Sequence, residues 1–68
     1  MNEETFNLSI RKFLKTVGVR SQREIEQAVA QALVRGEITG NESFPATATV
    51  EIAALKLKFS IDGEIQLE

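Results

Sequence analysis

The chain has no cysteine, histidine, tryptophan or tyrosine, a single proline, and no apolar run longer than Ile52-Ala53-Ala54-Leu55. Each absence closes a class of chemistry. Without His or Cys the chain alone cannot supply a zinc, haem or iron–sulfur ligand set, a thiol nucleophile, a Ser-His-Asp triad or a histidine proton relay. A spanning helix needs roughly 20 apolar residues, so no membrane partner is expected. Disulfides and metals, the usual reinforcement of very small domains, are missing as well. A domain of about sixty residues buries only about 60% of its unfolded surface. Oligomerisation is the remaining common route, and a homodimer is the expected state. The acidic start Met1-Asn2-Glu3-Glu4 is the reverse of a signal peptide. Zero cysteine suits a reducing compartment, so the expected location is the cytoplasm.

What is present is ordinary for a soluble domain: 68 residues, 43% hydrophobic, with a formal net charge of −2. The length allows one domain, residues 1–68. Residues 1–35 carry six Lys/Arg against four Glu, while residues 36–68 carry two Lys against six acids. That is a mild dipole and not a polybasic ligand for nucleic acid.

Phe6, Ile10, Phe13, Leu14 and Val17 recur at helical spacing and predict an amphipathic helix over about residues 3–17. Asn2 is placed to cap it, with Glu3 and Glu4 at the positive end of the dipole, and Gly18 to end it. Ser21-Gln22-Arg23-Glu24 has the form of a capping box and predicts a second helix over about residues 22–35, closed by Gly36. Its face, Ile25, Ala28, Val29, Ala32 and Leu33, is shallow. The two together predict an αα-hairpin. From about residue 45 to 67 the period is two. Pro45 opens the β region, and even-numbered Ala46, Ala48, Val50 and Ile52 share a face with odd-numbered Leu55, Leu57, Phe59 and Ile61. A two-residue turn at Ala53-Ala54 would set Ile52 opposite Leu55 with the faces matched, and a longer turn keeps the same parity. Asp62-Gly63 resembles a hairpin turn, yet a two-residue turn there would mix the faces. Two alternatives preserve parity. The tail runs straight from Leu55 to Leu67 with a bend or bulge at Gly63, or it turns over Asp62-Gly63-Glu64. The expected fold is therefore α+β: a helical hairpin packed on one face of a small antiparallel sheet, ααββ, with room for a third short strand near Ile38.

On the straight reading the second strand outruns its partner. Gly63, Ile65 and Leu67 then form an unpaired edge where a second copy can add, and they are the candidate dimer edge. A second candidate surface is the outer face of the first helix. Arg11, Lys12 and Lys15 cluster there, Arg20 and Arg23 lie just beyond the expected turn, and Leu8 projects among them, about 200° from Phe6. The bland reading is a solvated basic face with one stray leucine. The functional reading is a dock for an acidic protein partner with Leu8 as apolar anchor.

Other motifs weigh less. Ser9-Ile10-Arg11-Lys12 matches S-x-x-K without the further motifs that such enzymes need. Glu51 has Lys56 and Lys58 within reach as surface ion pairs. Val17-Gly18-Val19-Arg20-Ser21 resembles the turn of a helix-turn-helix, but Glu24 and Gln27 stand where that motif wants apolar residues. No constellation joins a nucleophile, a base and a stabiliser, so no enzyme and no cofactor is expected. The expectation is a non-catalytic interaction module. The alternative is a weak nucleic-acid binder using the basic face of helix 1 and the inter-helix turn, which the charge balance disfavours.

The string from Phe6 to Lys15, then Val17-Gly18-Val19 and Ser21-Gln22-Arg23-Glu24-Ile25-Glu26, with the ending Ile61-Asp62-Gly63-Glu64-Ile65-Gln66-Leu67-Glu68, resembles a family of short bacterial proteins known only as a domain of unknown function. The likeness covers nearly the whole chain. It implies a complete, stand-alone protein and brings no activity, cofactor or site.

Overall fold

The computed structural model describes residues 1–68 and divides them into two compact units, Met1–Glu37 and Ile38–Glu68. The first unit is one helix, α1, Glu3–Val34. The α+β composition holds, but the expected helical hairpin does not, because residues 18–21 continue the helix. The reason is physical. Gly18 in a helix interior costs about 1 kcal/mol relative to alanine. A break would leave several carbonyls and amides without intrahelical partners and would require a second nucleation. Gly18 keeps a negative φ, unlike Gly36 and Gly40. The Ser21 box is bypassed, and Arg20 Nε instead donates to Glu24 Oε2 at 3.2 Å. With no turn, the helix-turn-helix resemblance and the inter-helix turn invoked for nucleic acid both fall.

Both outer ends of α1 follow their signals. Asn2 Oδ1 accepts from the Thr5 amide at 3.0 Å. At the far end Gly36 takes φ +71°, with its amide on the Leu33 carbonyl (3.1 Å) and the Glu37 amide on the Ala32 carbonyl (2.9 Å). That is a Schellman closure, which a left-handed glycine permits.

The second unit is an antiparallel hairpin, β1 (Ser43–Ile52) and β2 (Leu57–Gln66), joined by a 3₁₀ turn at Ala53–Leu55 and by Lys56 in the left-handed region, φ 53°. Ile52 pairs with Leu57, not Leu55, so the register is displaced by two residues and the faces stay matched. The connection is four residues long and places only one residue, Lys56, at positive φ, whereas a type I′ turn would require it of both Ala53 and Ala54. β2 runs straight through Asp62-Gly63. Gly63 sits opposite Ala46 in regular register, with neither turn nor bulge. β1 begins at Ser43, before Pro45, and no third strand forms at Ile38.

Candidate interaction site

Apart from Pro45, the hairpin separates apolar from polar side chains by face. Phe44·Ile65, Ala46·Gly63, Ala48·Ile61, Val50·Phe59 and Ile52·Leu57 make one face; Ser43·Gln66, Pro45·Glu64, Thr47·Asp62, Thr49·Ser60 and Glu51·Lys58 make the other. The polar face is knit across the strands. Ser43 Oγ donates to Glu64, Thr47 Oγ1 donates to Asp62 Oδ1 at 3.0 Å, and Thr49 and Ser60 hydroxyls share a 3.0 Å bond. The apolar face has no such closure. A two-stranded sheet has no second layer of its own, and Phe59 stays 43% and Ile61 60% exposed. In the whole chain no hydrophobic side chain is buried.

The backbone phase decides what each strand offers at its rim. The Leu67 amide donates to the Glu42 carbonyl at 3.0 Å, in register with the pairs above. Directly opposed residues alternate between hydrogen-bonded and non-hydrogen-bonded pairs, so the apolar-face residues exchange the inner bonds. The outward amides and carbonyls then belong to the polar-face residues. Pro45 is one of these, and its missing N–H falls on the outer rim, the only place a strand interior tolerates it. The expectation of an unpaired Gly63, Ile65 and Leu67 is therefore corrected. Because β1 starts at Ser43, Gly63 pairs with Ala46, Ile65 with Phe44, and Leu67 reaches Glu42. What is open is the outer rim of β2, carried by Lys58, Ser60, Asp62, Glu64 and Gln66, together with the rim of β1.

The helix carries the second surface. At 100° per residue, Leu8, Arg11, Lys12 and Lys15 share a flank that α1 extends through Val19 to Arg23, about 22 Å long. Leu8 is 58% and Val19 53% exposed. Lys15, Thr16, Val19, Arg20 and Arg23 line a shallow depression there. Arg20 lies at its margin and is tied to Glu24. Val19 falls where the sequence predicts a turn, so its place on this flank is visible only in the continuous helix. The apolar stripe on the other side is not continuous. Its first half, Phe6 to Val17, and its second, Ile25 to Leu33, are offset by roughly 80°.

The remaining polar groups are engaged locally. Ser9 Oγ donates to the Phe6 carbonyl at 2.9 Å, away from Lys12. Glu51 pairs in register with Lys58, while Lys56 is in the turn. In the loop before β1, Glu42 accepts from the Thr39 amide (2.8 Å), the Gly40 amide (2.9 Å) and the Thr39 hydroxyl (3.2 Å). The Thr39 amide first, then that of Gly40, holds its carboxyl below the ordinary glutamate value. No three acidic side chains gather where they could hold a metal ion. No helix is long and apolar enough to cross a membrane. No curated protein and no solved structure gives a significant match. A family's sequence model does match, over residues 1–68, and the chain belongs to that family of unknown function, DUF6494.

Proposed function

We propose that this chain is a non-catalytic interaction module that works as a homodimer in the cytoplasm. One observation carries the reading: both units leave large apolar side chains exposed, and no hydrophobic side chain anywhere in the chain is buried. Fully covering a Leu, Ile or Phe side chain is worth about 1.5–3 kcal/mol. A lone two-stranded hairpin is marginal in water, so a second layer or further strands are needed. Light scattering across a hundredfold range of concentration tests this. The expected mass is twice 7.5 kDa. A monomer at every concentration overturns it.

The flank Leu8, Arg11, Lys12, Lys15, Val19, Arg23 supports a second contact, with an acidic protein segment. Exposed apolar side chains spaced among cations suit a partner that alternates carboxylates and apolar groups. Phosphate backbone is the poorer fit, because the net charge is −2 and Glu26 lies on the same flank. Affinity for an acidic peptide should survive 200 mM salt when Leu8 is present and fall with Leu8→Glu. Binding to nucleic acid that collapses steeply with salt would favour the phosphate reading instead.

A further inference from the structure

We infer that two copies of this chain join through the outer rims of β2, antiparallel, with Ile61 facing Ile61 across a two-fold axis. The inference rests on the dimer reading above and names its geometry. The two rims of the hairpin are unequal. That of β1 is interrupted at Pro45, which has no amide to donate, whereas Lys58, Ser60, Asp62, Glu64 and Gln66 give β2 an unbroken row of donors and acceptors.

The backbone phase restricts how β2 can meet its own copy. Outward amides belong to even-numbered residues, so even must oppose even and the axis must pass through a residue. Four centres keep a substantial overlap, and charge chooses among them. Centring on Asp62 sets that carboxylate against itself. Centring on Gly63 sets Asp62 against Glu64, twice. Like charges directly opposite are destabilising. Centring on Ser60 gives Lys58 to Asp62 but shortens the overlap to Leu57–Gly63 and strands Ile65. Centring on Ile61 overlaps Leu57–Ile65. It sets Lys58 against the partner's Glu64 and Ser60 against the partner's Asp62, each twice by symmetry.

The rows that result are consistent across four strands. On the polar face Lys58 stands between Glu51 of its own chain and the partner's Glu64, and the next row reads Thr49, Ser60, the partner's Asp62, the partner's Thr47. On the apolar face Leu57 meets the partner's Ile65, and Phe59 meets the partner's Gly63. Gly63 supplies an independent observation. A Cβ built there would meet nothing within 4 Å, so the space above it is open. An aromatic ring over a strand glycine fills such a gap and pins the register. Two inter-strand bonds for each hydrogen-bonded pair give about eight between the copies. The product is a four-stranded sheet, above the three-strand threshold for independent stability.

The absence of cysteine makes the test direct, since one introduced cysteine can bridge only to another copy. Non-hydrogen-bonded antiparallel pairs lie about 4.5 Å apart at Cα, inside the disulfide range. Ile61→Cys in the full chain should therefore form a covalent dimer under mild oxidation, at least tenfold faster than Phe59→Cys, whose two copies would sit about 13 Å apart along the strands. In parallel, Lys58→Glu should weaken association roughly tenfold, and adding Glu64→Lys should restore it. If the wild type is dimeric while the two cysteine variants bridge equally and the charge reversal fails to rescue, the β2 pairing is wrong and the dimer stands. If the wild type is a monomer throughout, both fall.

Discussion

The two units solve the same problem of backbone satisfaction in opposite ways. In Met1–Glu37 nearly every amide and carbonyl bonds within one helix, and the ends are closed by Asn2 and by the Gly36 Schellman bonds. In Ile38–Glu68 each strand satisfies only the groups facing its neighbour, which leaves two rims. The helix is therefore complete as a backbone and incomplete only as a surface. The hairpin is incomplete as both. The half with more left unsatisfied, strand rims as well as an apolar face, is the C-terminal one.

Substitutions can break or sharpen this contrast. The largest effect is expected at the hairpin's apolar face. If that face is covered in the assembly, Phe59→Ala should cost about 3–5 kcal/mol in denaturant unfolding. A loss below about 1 kcal/mol would mean that Phe59 faces water in the working state. Next comes the middle of α1. Gly18→Ala should stabilise the protein by about 1 kcal/mol, because a continuous helix gains from alanine. Were Gly18 a left-handed helix end, the same change would destabilise, so the sign of the shift in thermal unfolding decides. Smaller still, Lys56→Gly should stabilise by about 0.5–1 kcal/mol, since the φ of 53° strains any residue with a Cβ. Chemical denaturation that shows a loss there would mean the lysine side chain itself holds the turn.

The smallest effect concerns the loop that enters β1. Glu42 has its carboxyl held low by the amides of Thr39 and Gly40, so its contribution is present above the ordinary glutamate value. It is lost as pH falls through the lowered one. Amide resonances of Thr39 and Gly40 should titrate together with the Glu42 carboxyl, below the range of a free glutamate. Titration within the ordinary range would remove the loop's anchoring role.

Much of this was legible in the residues, and the failures are instructive. The ends of α1 could be read because Asn2 and Gly36 meet nothing that competes with them. Its middle could not, because Gly18 and Ser21 permit a helix end without requiring one. Continuity, which adds a hydrogen bond for each residue fixed, prevailed. Strand parity was legible because face matching survives any displacement by two. Register was not, since it depends on whether a lysine accepts a left-handed conformation. The edge at Gly63, Ile65 and Leu67 was argued from a β1 that began too late. The sequence suggests Pro45 as the first strand residue, whereas it stands two residues inside, on the side where an amide is dispensable. The basic flank was recognised through Lys15, and its length, with Val19, emerged only once the helix ran unbroken.

Pro45 has one more effect. A ribbon that could recruit neighbours along both of its sides would go on recruiting, copy after copy, into a fibre. With one side lacking a donor at its second position from Ser43, a strand added there forfeits a bond that the other side can make. A single imino acid thus makes the two sides of the ribbon unequal and weights pairing toward the other one.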